Sequence, residues 1–249
     1  MRPPPYAVRV PPTTVADLLA LLVREPGRPR VTWYGDGGER VELSGAVLGN
    51  WVSKTTNLLV EEFDAAPGTR ITLDLPPHWR TVVWALAVWR SGACVVAPGG
   101  ADGDVLVSDS PAGTPTTAQV VAVALPALAR AFPGTLPPGA IDAASAVMTY
   151  GDAIGWTAPV DPAAPALEGA DERSRTHEDL LAGPAPSPGR VLRAAGDRTQ
   201  LAPFLLDVLA VLSGDGSVVL SSPATAAELA ADAPRRARLV DSERITTEA

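Results

Sequence analysis

Apolar positions along the chain alternate between two spacings. Val15, Leu18, Leu19 and Leu22 follow one helical face, with Thr13 or Thr14 placed to cap the helix and Asp17 near its positive end. "RVTWY" and "RVELS" flank the glycine-rich "GDGGE", which predicts a β-hairpin. Ser44 opens a long amphipathic helix through "AVLGNWVSKTTNLLVEEF", with Val47, Trp51, Leu58 and Leu59 as core candidates. "TRITLDLP" predicts a strand with Leu73 and Leu75 on one face, stopped by Pro76 and Pro77. "HWRTVVWALAVWRSG" predicts a helix ended by Gly92, and "ACVVAP" a buried strand of the parallel type.

"DVLVSD" and "AQVVAVAL" add two short strands. Between Pro133 and Ala170 the pattern loosens, apart from a helix predicted in "DAASAVMTYGDA". Pro159 to Arg175 is rich in Pro, Ala and acids without apolar periodicity, so it is expected to be irregular and mobile. Alternation resumes with a helix from Thr176, a strand "RVLRAA", a helix "QLAPFLLDVLAVLSG", a strand "SVVLSS" and a helix "ATAAELAAD". Strands alternating with helices predict an α/β fold with a mostly parallel sheet flanked by helices. The helix "LAPFLLDVLAVL" is apolar nearly all round, as befits a deep core or an interface.

Composition narrows the function classes. The 249 residues are 46% apolar and 19% charged, the balance of a folded domain with a real core. A net charge of −8 leaves no electrostatic footprint for nucleic acid or an anionic membrane. Neither a signal peptide nor a membrane span is predicted, and the single cysteine fits a reducing compartment; a cytoplasmic protein is expected. Cys94 lies in an apolar run and reads as a packing residue. Lys54 is the only lysine, so no mechanism can call on a second one within this chain. It falls in mid-helix and is expected at the surface.

Familiar catalytic patterns are missing. Lys54 has no glycine-rich phosphate loop around it, and no G-x-G-x-x-G or G-x-S-x-G follows a strand. His177 and Glu178 start a zinc-protease-like string, but Leu181 stands where the second histidine belongs. Asp102 and Asp104 read as an acidic turn rather than a cation site. His78, after two prolines, reads as the cap or start of a helix rather than a ligand. No catalytic or metal-binding residue is assigned.

"PGTRITLDLPPHWRTVVWALAVWRSGACVVAPG", from Pro67 to Gly99, resembles the N-terminal subdomain of adenylate-forming enzymes: acyl-CoA synthetases, luciferases and peptide-synthetase adenylation domains. That family reads P-G-D-R-V, an apolar strand, P-N, an apolar helix, then A-G-A and a strand ending in Pro. The upstream hairpin and long helix resemble its T-Y-x-E-L segment, "GDVLVSDS" resembles its next strand, and "THEDLL" resembles its T-H-x-N-L helix start, with Asp179 in place of Asn. The resemblance covers most of residues 13–240, taken as one α/β domain between a Pro-rich segment, 1–12, and a tail, 241–249.

The resemblance also marks a departure. Where the family carries S-G-T-T-G-x-P-K ahead of T-H-x-N-L, this chain has "DPAAPALEGADERSR", with few hydroxyls or glycines and no lysine. Counterparts of the adenine-binding segment, the ribose-binding acid and the C-terminal domain with its catalytic lysine are not found. The resemblance thus implies a short, catalytically inactive relative acting as a binding or interaction module, without cofactor. The alternative is a residual nucleotide-binding protein or acyl-activating enzyme with a changed site. For that alternative, Thr176, His177 and Glu178 at a helix N-terminus are the candidate residues for ATP or AMP; otherwise they form an ordinary capped helix bearing a surface histidine. A homodimer or protein partner is expected to cover the apolar "LAPFLLDVLAVL" helix, on a surface that longer relatives bury.

Overall fold

The structure, a computed structural model, describes residues 10–100, 102–112, 116–169, 174–182 and 189–248. Helix α1 (Val15–Leu22) starts in a capping box: the Thr14 hydroxyl accepts from the Asp17 N–H while the Asp17 carboxylate accepts from the Thr14 N–H. Strands β1 (Pro29–Tyr34) and β2 (Arg40–Ser44) form the expected antiparallel hairpin around a short 3₁₀ turn at Asp36–Gly38. Ser44 caps α2 (Gly45–Phe63). A Cβ on Gly45 would lie 2.2 Å from the Leu22 carbonyl oxygen, so only glycine permits this approach of α2 to the end of α1. The rotation of α2 buries Leu48 and Val52 and leaves Val47 41% exposed, a correction to its place among the core candidates.

Strand β3 (Arg70–Asp74) leads into α3 (Trp79–Ser91), β4 (Cys94–Val96), β5 (Val105–Ser108) and β6 (Gln119–Ala122). Helix α3 ends as expected at Gly92, at a φ of 85° that glycine adopts without strain. After β7 (Ile141–Asp142), the predicted helix shortens to α4 (Ala143–Ala146) and a 3₁₀ turn at Val147–Thr149. The chain beyond is drawn onto α2: Lys54 Nζ donates to the Tyr150 carbonyl at 2.6 Å, and Asn57 Nδ2 donates to those of Gly151 and Ala153. Lys54, expected at the surface, is thus a tether, with its side chain 17% exposed and paired to Asp152 at 3.0 Å.

The segment expected to be irregular supplies β8 (Pro165–Glu168) and, at its end, part of β9 (Arg175–Thr176). Ala166 and Leu167 are fully buried, and the Ala166 carbonyl accepts the Trp89 indole N–H at 2.7 Å. Strand β10 (Arg190–Ala194), α5 (Leu201–Ser213), β11 (Ser217–Ser221) and α6 (Pro223–Ala231) follow as predicted. Helix α7 (Ala233–Glu243) and β12 (Thr247–Glu248) were not foreseen, and the segment set apart as a tail pairs with β10.

Among the described residues the strands form two sheets. One has the order β12-β10-β11-β1-β2 and the other β7-β6-β5-β3-β4-β8-β9. All neighbours run parallel except β1/β2 and β8/β9. The chain is therefore α/β, with mostly parallel sheets flanked by helices. Helix α3 meets β1 of the first sheet and β3 and β4 of the second, and α1, α2 and α5 pack around it. This shared helical layer is the main core. Helix α5 buries Leu201, Phe204, Leu205, Val208, Leu209 and Leu212 there. Much of the helix singled out as a partner surface is thus covered by its own chain, while Leu206 and Val211 stay partly exposed. Among the described residues no helix is long and apolar enough to cross a membrane.

Candidate functional site

Residues Thr176, His177 and Glu178 do not open a helix. Thr176 ends β9, and residues 177–181 make a single turn. Pro184, Pro186 and Pro188 follow closely and oppose any helical continuation. The Thr176 hydroxyl donates to the Asp179 carboxylate at 2.8 Å instead of capping a backbone N–H. The amides of 177 and 178 donate to the carbonyls of Ala164 and Pro162, and those of 179 and 180 to the carbonyl of Thr176. These four donors are therefore committed within the protein. His177, expected at the surface, is buried, and its Nε2 donates to the Gly92 carbonyl at 3.0 Å, bracing the end of α3. Burial lowers its pKa and favours the neutral ring. Glu178 is exposed.

His78 is the N-cap of α3, its Nδ1 accepting from the Arg80 N–H at 3.2 Å, as its sequence context suggested. Its ring lies edge-on to Trp33, with centroids 4.4 Å apart. Burial, helped by the Arg80 charge, pushes its pKa down to about 3. Cys94 is buried, and burial pushes its thiol up to about 12, so it is a protonated packing residue. The Asp104 carboxylate accepts from the Arg70 N–H at 2.8 Å, holding the acidic turn against β3. Among the described residues no group of three or more His, Cys, Asp or Glu is placed to hold a metal ion.

Sheet topology locates a crevice that motif reading missed. From β3 the chain passes to β4 on one side, whereas from β5 it continues to β6 on the other. Ligands of open α/β sheets bind outside the carboxyl ends of strands at such a reversal. Here those ends carry Asp74, Ser108 and Asp109, joined by Arg198 from the turn after β10 in the other sheet. Arg198 donates through Nη1 to the Asp74 carbonyl at 2.6 Å and carboxylate at 3.1 Å, and through Nη2 to Asp109 at 2.5 Å. The Ser108 hydroxyl donates to the second Asp74 oxygen at 2.7 Å. Beside this cluster lies a cavity of about 230 Å³, bounded by Thr72, Leu106 and the backbone from Pro98 to Gly100. Its charged lining residues are Asp74 and Asp102. The crevice is acidic, and its guanidinium is held by two carboxylates.

A second cavity, of about 320 Å³, lies at the other end of α3. Thr13, Val15 and Ala16 of the α1 entry, Trp89 and Arg90, Val160, Pro162, His177 and Glu178 are among its walls. Two of the three residues singled out in sequence, His177 and Glu178, thus line one cavity, and Thr176 does not.

No family model matches the chain. A protein of Mycobacterium tuberculosis is 37% identical over 154 residues, which are 57% of this chain and 63% of the relative; its name gives a family number and no activity. Among solved structures, an acyl-CoA synthetase from Brucella canis matches 83% of this chain and 46% of its own, with a TM-score of 0.59 and 15% identity. An acetoacetyl-CoA synthetase from Streptomyces lividans matches 84% of this chain and 38% of its own, with a TM-score of 0.65 and 18% identity. The chain spans less than half of either synthetase and less than two thirds of the M. tuberculosis protein. Its two sheets and shared helical layer therefore have the fold of part of an acyl-CoA synthetase.

Proposed function

We propose that this chain acts as a binding or interaction module built on the acyl-activating fold, and that it does not itself adenylate carboxylic acids. The observation that carries this reading is the charge of the switch-point crevice. A triphosphate needs preorganised positive charge where its own charge sits and shifts. Asp74 and Asp102 line the crevice cavity, and the single charge of Arg198 is already shared between Asp74 and Asp109. The segment ahead of Thr176 supports the same reading. It contributes the buried strand β8, and the amides of residues 177–180 are spent on protein carbonyls. Lys54 of α2, the sole lysine, is tied to Tyr150 and Asp152.

A pyrophosphate-exchange assay across fatty, aromatic and amino acids is expected to return background rates. Melting in the presence of ATP or AMP is expected to show no shift, since a ligand that binds the native state raises its stability. ATP-dependent exchange that tracks protein purity would overturn the proposal. A saturable shift with AMP but no exchange would instead favour the residual nucleotide-binding alternative at Thr176, His177 and Glu178.

A further inference from the structure

Every residue of α3 is buried except Arg90. Its guanidinium makes one hydrogen bond, Nη1 to the Thr157 hydroxyl at 2.9 Å, and among the described residues no carboxylate pairs with it. Charged side chains held partly out of water are normally paired. Burial, with no compensating acid, lowers the pKa of Arg90, which registers the same deficit. Arg90 is one of the residues lining the cavity of about 320 Å³, whose other walls include the apolar Val15, Ala16, Trp89, Val160 and Pro162 and the polar Thr13, Thr14, His177 and Glu178. The Trp89 ring is fixed by its bond to the Ala166 carbonyl, and neutral His177 is fixed by its bond to the Gly92 carbonyl. The volume is at the lower end of small-ligand pockets, and apolar walls with a few placed polar groups are the usual form of such sites.

We infer that this cavity binds a small molecule with an apolar body and a single anionic head group, the head seated on Arg90. The site lies at the opposite end of α3 from the switch-point crevice and needs no nucleotide. Glu178 also lines the cavity and is exposed, so its charge opposes an anion near it. The Thr14 hydroxyl is engaged with Asp17 in the α1 capping box and offers little to a ligand. The anion is therefore placed at Arg90.

The inference deepens the binding-module reading and rests on it for its biological sense. Its test is separate, because binding is measured without ATP and either result can fail alone. Octanoate, octyl sulfate, octanol and octylamine are titrated into the whole protein by calorimetry. Octanoate and octyl sulfate are expected to bind roughly tenfold or more tightly than octanol, as a charge-assisted hydrogen bond provides, with octylamine weakest. Their ranking identifies whether a carboxylate or a sulfur or phosphorus oxyanion fits better. Arg90→Met, which keeps an apolar stem, should reduce both anions to the octanol affinity while leaving octanol unchanged. Glu178→Gln, at an exposed position, should tighten both anions and leave octanol alone. Equal affinity for octanol and the anions, no binding by any of the four probes, or anion binding indifferent to both substitutions would overturn the inference.

Discussion

His78 shows how a single side chain can couple packing to pH. Its Nδ1 must stay unprotonated to accept the Arg80 N–H, and its ring is packed against Trp33. The unfolded chain takes up the proton near 6.5, whereas the folded protein does so only near 3. Stability is therefore full above the unfolded value and is lost as pH falls from there toward the folded one. His177 shifts in the same direction. Between about pH 7.5 and about pH 5, His78 alone should cost on the order of 1–2 kcal/mol. His78→Asn retains a capping oxygen, so it should flatten this slope while lowering stability at neutral pH through lost packing. Urea midpoints at the two pH values check this; an unchanged slope would place the titration elsewhere.

At the scale of elements, β8 was the largest departure from expectation. "PALE" has no useful periodicity, and it becomes a strand because β4 lies on one side and β9 on the other. Leu167 is fully buried in that position. Leu167→Ala should cost about 2–5 kcal/mol, the usual range for a buried leucine, and deleting residues 163–168 should abolish cooperative unfolding. A melting temperature unaffected by either change would return the segment to the status of a mobile loop. The Lys54 tether makes a smaller claim. Lys54→Ala removes the bonds to Tyr150 and Asp152 and should cost about 1 kcal/mol. Hydrogen exchange should locate the loosening at residues 150–155, with α2 itself still protected.

At the scale of the whole molecule, two sheets share one helical layer, and polar contacts also reach from one sheet's turns to the other. Arg198 is such a contact, reaching from the β10 turn to Asp74 and Asp109. These groups keep part of their solvent exposure, so Arg198→Ala should cost only about 1 kcal/mol or less. Its signature should be positional, with exchange rising at the ends of β3, β5 and β10 together. Apolar packing in α5 carries much more. Phe204→Ala removes a buried ring from the layer between the sheets and should cost about 3–5 kcal/mol, measured by urea unfolding. If only the β10–β11 sheet then lost protection, α5 would belong to that sheet alone. Sedimentation at micromolar concentration tests for a dimer.

Local physics was written plainly in parts of the sequence. Helix α3 is rich in Val, Trp, Leu and Ala and is buried at every residue but Arg90; Thr14, Ser44 and Gly92 mark helix ends by side-chain chemistry or backbone freedom alone. The hairpin turn at Asp36–Gly38 is equally local. Tertiary contact decided the rest. Helix α7 has no apolar stripe; its buried residue is Glu243, whose carboxylate takes hydrogen bonds from Tyr34, Arg40 and Arg190 of the adjoining sheet. Strands β8 and β9 exist through their neighbours, and THEDLL stays a single turn because its amides find carbonyls at Pro162 and Ala164. The candidate sites divide in the same way. His177 and Glu178 drew notice as a motif fragment, but nothing near Arg90 in sequence says that it lacks an acid, or that Val160 and Val15 will close around it. Asp74, Asp109 and Arg198 likewise meet only because the turn after β10 of one sheet comes against the ends of β3 and β5 of the other. Periodicity reports which face of an element avoids water; which elements meet depends on contacts between distant residues, and those arise only when the whole chain packs.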